Sequence, residues 1–292
     1  MGLIKGNTHW IFLLASSQEP EDRHIYDVIF GIVKLLHVGV CANDITVVID
    51  TKRIGILQAF SSFQYKKIYK SIELTDIFQN NKHETIVLFA NGHGNPTGLD
   101  SEPVIKPYHL FSNLQNANNL KKGIVFLGQC FAGVFNYMPV KSFEKDGKIL
   151  PPLVVIGGTG LYPSISSHWV FDKPHQDTWA VNIFFYYLFQ WIIDPVDIDG
   201  DGRYGLIDAY KFIGCSITDF CNYQKRIDHI KTIEEEQELA KAIELLKTET
   251  SSEKDKSALE LKIQSLEQML LLRYNHQEVW ILNVFDAMDI YF

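Results

Sequence analysis

The chain has 292 residues, 46% hydrophobic and 21% charged, a composition that excludes a largely disordered protein. Its net charge of −8 speaks against DNA or RNA as a partner, because nucleic-acid binders present a basic face. No apolar run approaches the ~18 residues of a membrane span. The four cysteines (Cys41, Cys130, Cys215, Cys221) include no C-x-x-C pair, which argues against a disulfide framework or a structural zinc site. The expectation is an acidic cytoplasmic protein with neither a membrane nor a nucleic-acid partner.

In chain order, the apolar run at residues 10–15 is too short for a signal peptide and reads as a first strand over 9–15. Val28, Ile29, Ile32, Leu35 and Leu36 recur at helical spacing and predict a helix over 23–37. Further strands are predicted at 44–50, 84–90, 123–129 and 152–158, each nearly continuous in apolar residues, as expected where helices cover both faces of a parallel sheet. A crossover helix falls around 109–118, and a long one spans 177–193 with Trp179, Phe184 and Trp191 on it. Strand alternating with helix defines the fold class as α/β: an open, mostly parallel sheet of about six strands flanked by helices, with ligands expected beyond the carboxyl ends of the strands.

Near residue 224 the composition changes, and 224–273 is rich in Glu, Lys, Leu and Gln without Pro or Gly. Leu239, Ile243 and Leu246 form one seam and Leu259, Ile263, Leu266 and Leu270 another, with a polar stretch between them. This predicts a helical hairpin over 224–275, a docking surface for a regulatory protein or a stabilising appendage, inserted into a body spanning 1–223. Residues 276–292 then return to the body with a last strand. Cys41 is expected to pack in the core, and Cys215 and Cys221 to be structural.

Two strand ends carry chemistry. The third strand runs into Asn91, Gly92, His93 and Gly94, and the fourth into Gly128, Gln129, Cys130 and Phe131. His93 and Cys130 are 37 residues apart, room for one crossover helix. Parallel neighbours lie ~4.8 Å apart, so thiol and imidazole can share one crevice. A thiol attacks as thiolate and needs a nearby base, which an imidazole supplies. Gly94 and Cys130 can turn backbone N–H groups toward a developing oxyanion.

The His-Gly and Gln-Cys-x-Ala-Gly pair, in that order on consecutive strands, resembles the caspase/legumain group of cysteine peptidases over roughly residues 9–215. The resemblance implies a cysteine endopeptidase of protein or peptide substrates, with His93 as general base and Cys130 as nucleophile. It also implies a specificity pocket shaped by Arg23 and His24, in Glu21-Asp22-Arg23-His24, and by Ser166, Ser167 and Trp169 after the fifth strand. Gly128 stands where caspases carry Gln and legumains an acid. An acidic or amide P1 residue fits Arg23 best. The loop 141–150 occupies the place where caspases are cut during activation, with Asp146-Gly147 as a candidate site. The rival reading is a non-catalytic peptidase-fold protein, a calcium-responsive or partner-binding module.

The second signal is the twelve-residue stretch 197–208. Asp197, Asp199, Asp201 and Asp208 fall at loop positions 1, 3, 5 and 12, Gly202 takes the turn at 6, and Arg203 at 7 completes the expected ligand set. That spacing wraps hard oxygens around one point and predicts a Ca2+ site between two helices.

Overall fold

A computed structural model describes residues 2–61, 68–145, 147–168, 179–247 and 253–292. The apolar runs form a seven-stranded sheet from β1 (Thr8–Ala15), β2 (Ile45–Ile49), β3 (Ile68–Tyr69), β4 (Thr85–Gly92), β5 (Lys122–Leu127), β6 (Leu153–Gly157) and β7 (Trp280–Leu282). The order is β7-β6-β5-β4-β1-β2-β3, parallel except for β7, which pairs antiparallel with β6. The class is α/β as expected. Two-residue β3 is the strand the sequence did not announce, because Ile68 and Tyr69 are too few to set a period.

Strand alternation sorts the core. Phe12 and Phe89 stack at 4.8 Å between ring centroids, and Phe89 reaches Phe126 at 5.4 Å and Phe189 at 5.2 Å. Phe189 belongs to α5 (Ile183–Ile193), which packs beside α1 (Asp22–His37) on this face. On the opposite face Leu13, Leu88, Ala90, Val125 and Leu127 pack against Phe78, Leu110 and Leu114 of α3 (Leu74–Gln79) and α4 (Pro107–Gln115). Each fully buried aromatic or aliphatic side chain contributes about 1.5–3 kcal/mol.

The long helix predicted over 177–193 is shorter. Val181–Asn182 pairs antiparallel with Ser166–Ser167, and α5 begins at Ile183, where the Asn182 side chain caps it by accepting from the Phe185 N–H. Asparagine is a preferred N-cap, and Asn182 immediately before the apolar run 183–193 is the start signal. Trp179 is therefore outside the helix. Phe143–Lys145 pairs antiparallel with Lys148–Leu150; Gly147 precedes the second strand, and Asp146, the other half of the candidate cleavage site, lies outside the described residues. Cys41 and Cys215 are exposed rather than packed, Cys221 is buried, and all four cysteines are free thiols.

By its internal contacts the chain divides into two compact units, Met1–Ile217 with Glu278–Phe292, and Thr218–Gln277. The helix α6 (Leu206–Ile227) carries the chain from the first into the second. The second unit is built from the end of α6, α7 (His229–Lys247) and α8 (Glu253–Tyr274). The seam residues Leu239, Ile243, Leu246, Leu259, Ile263, Leu266 and Leu270 are all buried or half-buried. Arg273 ties α8 to α7 through Glu235 at 2.6 Å and reaches Asp228 at 3.0 Å. Among the described residues no helix is long and apolar enough to cross a membrane.

Candidate active site

Chain order fixes where a site can form. β1 runs on to β2 at one side, whereas β4 returns to the other side of β1, so the connection reverses between β1 and β4. In open α/β sheets ligands bind in the crevice at such a switch point. The segment after β1 supplies Glu21, Arg23 and His24, and the segment after β4 supplies His93.

The ladder then sets His93 and Cys130 just beyond the ends of adjacent strands. β4 and β5 pair in parallel with Ala90 opposite Leu127, and each chemistry-bearing residue lies three positions beyond its partner. Gly128 N–H donates to the Ala90 carbonyl, extending the ladder toward them. The chain turns sharply at Gly92, whose φ is +97° and whose Cβ, if present, would lie 2.1 Å from the Ala15 carbonyl oxygen. Only glycine fits there. A Cβ on Gly94 would lie 2.1 Å from the Cys130 carbonyl oxygen, so the residue after His93 rests directly on the backbone of Cys130. Phe131, next after the cysteine, is left-handed at φ 56°, a conformation that non-glycine residues adopt at a cost and that reverses the chain immediately beyond β5. A loop after β6 closes over the thiol: the Ser164 N–H donates to Cys130 Sγ at 3.3 Å, and Ser164 Oγ lies 3.6 Å from it.

On the other side, His93 Nε2 lies 3.0 Å from Glu21 Oε1, and the His24 ring meets the His93 ring edge-on at 4.8 Å. Arg23 donates to Glu21 at 2.7 Å and, through Nη1, to Ser166 Oγ at 3.1 Å, so residues 143 positions apart in sequence meet at the crevice. The expected pocket set therefore divides. Arg23 and Ser166 come together beside His93; Ser167 pairs with Val181 one step along the ribbon; His24 is buried rather than lining an open wall; Trp169 lies outside the described residues. Burial, aided by repulsion from Arg23 and His93, holds the His24 pKa down at about 3, so its ring is neutral.

Three contributors escaped the sequence reading. Glu21 enters the sequence only as a neighbour of Arg23 in Glu21-Asp22-Arg23-His24, and Ser164 carries no local signal. Asp27 sits on the buried face of α1 with His24, Val28 and Gly31, and an acid on an apolar stripe was the signal that could have found it. Its carboxylate accepts from Trp179 Nε1 at 2.8 Å, Asn182 N at 3.2 Å and Asn91 Nδ2 at 3.3 Å, tying α1 to β4 and to the start of α5.

Burial outweighs those bonds and raises the Asp27 pKa to about 6. Folded protein thus keeps a proton that the unfolded chain releases near 3.8, so this group lowers stability as pH rises between those values, by about 3 kcal/mol. His24 acts oppositely: the unfolded chain binds the proton first, and stability falls as pH drops below 6.5. Asp27→Asn removes the opposing slope. Urea unfolding at pH 4 to 6 should then lose stability on acidification more steeply than wild type, by about 2 kcal/mol over the range; parallel slopes would contradict the assignment.

In the acidic loop, the carboxylates of Asp197, Asp199 and Asp208 offer oxygens within 4.8 Å of one another. The Asp201 side chain turns outward to Arg203, whose guanidinium donates at 2.9 and 3.1 Å. Gly200 and Gly202, at φ 76° and 81°, make the turns that wrap the loop. The α5 helix ends at Ile193 and α6 begins at Leu206, the flanking expected from the sequence.

These elements define an open α/β protein with an imidazole and a thiol just beyond adjacent strand ends, the imidazole beside the sheet's switch point. No protein-family model matches the chain, and no curated protein sequence matches it.

Proposed function

We propose that this chain is a cysteine endopeptidase of the caspase/legumain type, working in a reducing compartment such as the cytoplasm, where its four free thiols persist. The observation that carries the reading is the register of β4 and β5, which sets His93 and Cys130 equally far beyond two hydrogen-bonded strands. Glu21, 3.0 Å from Nε2, orients the imidazole. In the first step His93 takes the Cys130 proton as sulfur bonds to the scissile carbonyl carbon. The carbonyl π pair moves to oxygen, where the N–H groups of Gly94 and Cys130 stabilise it. Collapse expels the amine, which takes the proton back from His93. Water, deprotonated by His93, then cleaves the thioester, releasing the acid and restoring the thiol. Ser164, whose N–H already donates to Sγ, holds the sulfur in one orientation.

Arg23 beside Ser166 supplies the P1 contact, and its charge fits an acidic or amide side chain. The test is cleavage of a mixed peptide library. Arg23→Ala should lower kcat/KM for acidic P1 peptides by about 100-fold or more while sparing peptides with a small neutral P1; equal losses across P1 residues would refute the assignment.

The loop 197–208 takes Ca2+ in this reading. Three convergent carboxylates fit a hard cation that prefers oxygen donors, with Asp201 and the Arg203 carbonyl next in the loop. A bound ion would neutralise acids that otherwise repel one another and pin the start of α6.

A further inference from the structure

We infer that Glu21, His24 and His93 form a binding site for a zinc-class divalent cation, and that an ion held there takes His93 out of the reaction. The second half rests on His93 being the base. Each of the three offers a donor atom, and the three atoms lie within 4.8 Å of one another. Donors around one tetrahedral zinc are ~3.4 Å apart, so side-chain rotations of about 1 Å close the set.

The donor chemistry selects the ion. Two imidazoles and one carboxylate suit zinc and its borderline neighbours, whereas calcium and magnesium prefer all-oxygen shells. His24 is the independent pointer. It is 3% exposed, yet its Nδ1 has no hydrogen-bond partner among the described residues, and leaving a buried nitrogen unpaired is unfavourable. A second imidazole packed edge-on to an orphaned one serves poorly as core, whereas a metal gives both lone pairs an acceptor. Glu21 and His93 are partly open to solvent, with side-chain exposures of 50% and 37%, so an ion has a way in.

Glu21 also explains how the site can stay reversible. Its Oε2 is held by Arg23 Nε at 2.7 Å, while Oε1 is shared between His93 Nε2 at 3.0 Å and Arg23 Nη2 at 3.4 Å. A cation displaces the weaker bonds on Oε1 and leaves the stronger one on Oε2. Three protein ligands leave a fourth position for water. Once bound, the ion takes one nitrogen of His93 and the neutral ring keeps its proton on the other, so the imidazole can no longer accept the Cys130 proton, and hydrolysis stops until a chelator removes the ion.

The test uses full-length Cys130→Ala, which removes the thiol as a zinc ligand, titrated with Zn2+ against a chromogenic chelator in excess Ca2+. One zinc per chain is expected. His24→Gln and, at an exposed position, Glu21→Gln should each weaken it by at least tenfold, roughly the scale of a lost metal contact, while Asp199→Asn in the acidic loop leaves it unchanged. In wild type, stoichiometric Zn2+ should suppress peptide cleavage, and chelation should restore it. No tight zinc in Cys130→Ala, or retention unaltered in both His24→Gln and Glu21→Gln, overturns the site even if the chain is an active peptidase. Zinc bound there without loss of cleavage, or with a gain, overturns the switch. The predicted binding pattern in a chain that cleaves nothing supports the site and counts against the peptidase reading instead.

Discussion

Replacing Cys130 by alanine should abolish peptide cleavage, lowering kcat by about 10⁴-fold or more, the scale seen when a nucleophile acting as part of a catalytic unit is removed. The chemistry offers no substitute: Ser164 Oγ lies 3.6 Å from the sulfur, but its N–H and hydroxyl face Sγ rather than a base. The fold should survive. Cys130 is only half-buried at the end of β5, and losing one sulfur there should change stability by less than about 1 kcal/mol. His93→Ala should be nearly as severe, and the double variant no worse than the single ones, because base and nucleophile act as one unit. The check is kcat on a P1-acidic peptide together with a melting curve for each variant. Cleavage persisting within about tenfold of wild type in folded Cys130→Ala would remove the thiol from the mechanism.

The second large effect is on stability. Asp208 is 2% exposed, and both its oxygens are engaged: Oδ1 accepts from Ile198 N at 2.8 Å and Asp199 N at 3.2 Å, and Oδ2 from Gly205 N at 2.8 Å. One carboxylate thereby closes the loop and satisfies the start of α6. The same strand of contacts continues to the chain end, where Leu206 N–H donates to Ile290 and Phe292 N–H to Tyr204. Asp208→Ala strands three backbone donors and should destabilise the first unit by about 3–5 kcal/mol. Asp208→Asn keeps acceptor oxygen and should cost less. Asp201→Asn, whose exposed pair with Arg203 contributes little, should stay within about 1 kcal/mol. Urea unfolding followed by tryptophan fluorescence reads this, since Trp191 bonds the Val196 carbonyl at the entrance to the loop. Comparable midpoints for Asp208→Ala and Asp201→Asn would show that the loop does not organise the unit. In calcium the wild-type midpoint should rise, and Asp199→Asn should blunt the rise.

The parallel sheet was legible because buried strands read as continuous apolar runs, and five of them fall within two residues of where the sequence puts them. Local patterns were less reliable where tertiary contacts decide. Trp179 looks like the first turn of a helix, but its indole N–H finds Asp27 on α1, Val181–Asn182 pairs in a two-residue ribbon, and the helix starts only after Asn182, which caps it. The pair His93 and Cys130 was readable from strand ends alone, since parallel pairing at equal offsets needs no more than two strands and one crossover. Glu21 was not, because its contact with His93 joins segments after different strands, and nothing in the local sequence measures that distance. Asp201 is the converse case: perfect spacing along the loop, yet its side chain finds a nearer partner in Arg203.

The most direct test is a peptidyl electrophile carrying an acidic P1 residue, allowed to react with the native chain and located by mass spectrometry. A thiol attacks it only if activated and if the peptide is seated beside it, so four free cysteines provide an internal comparison. The account predicts one adduct per chain, on Cys130, lost in His93→Ala and slowed in Arg23→Ala. Labelling that favours exposed Cys41 or Cys215, or that reaches Cys130 equally fast without His93, would contradict it.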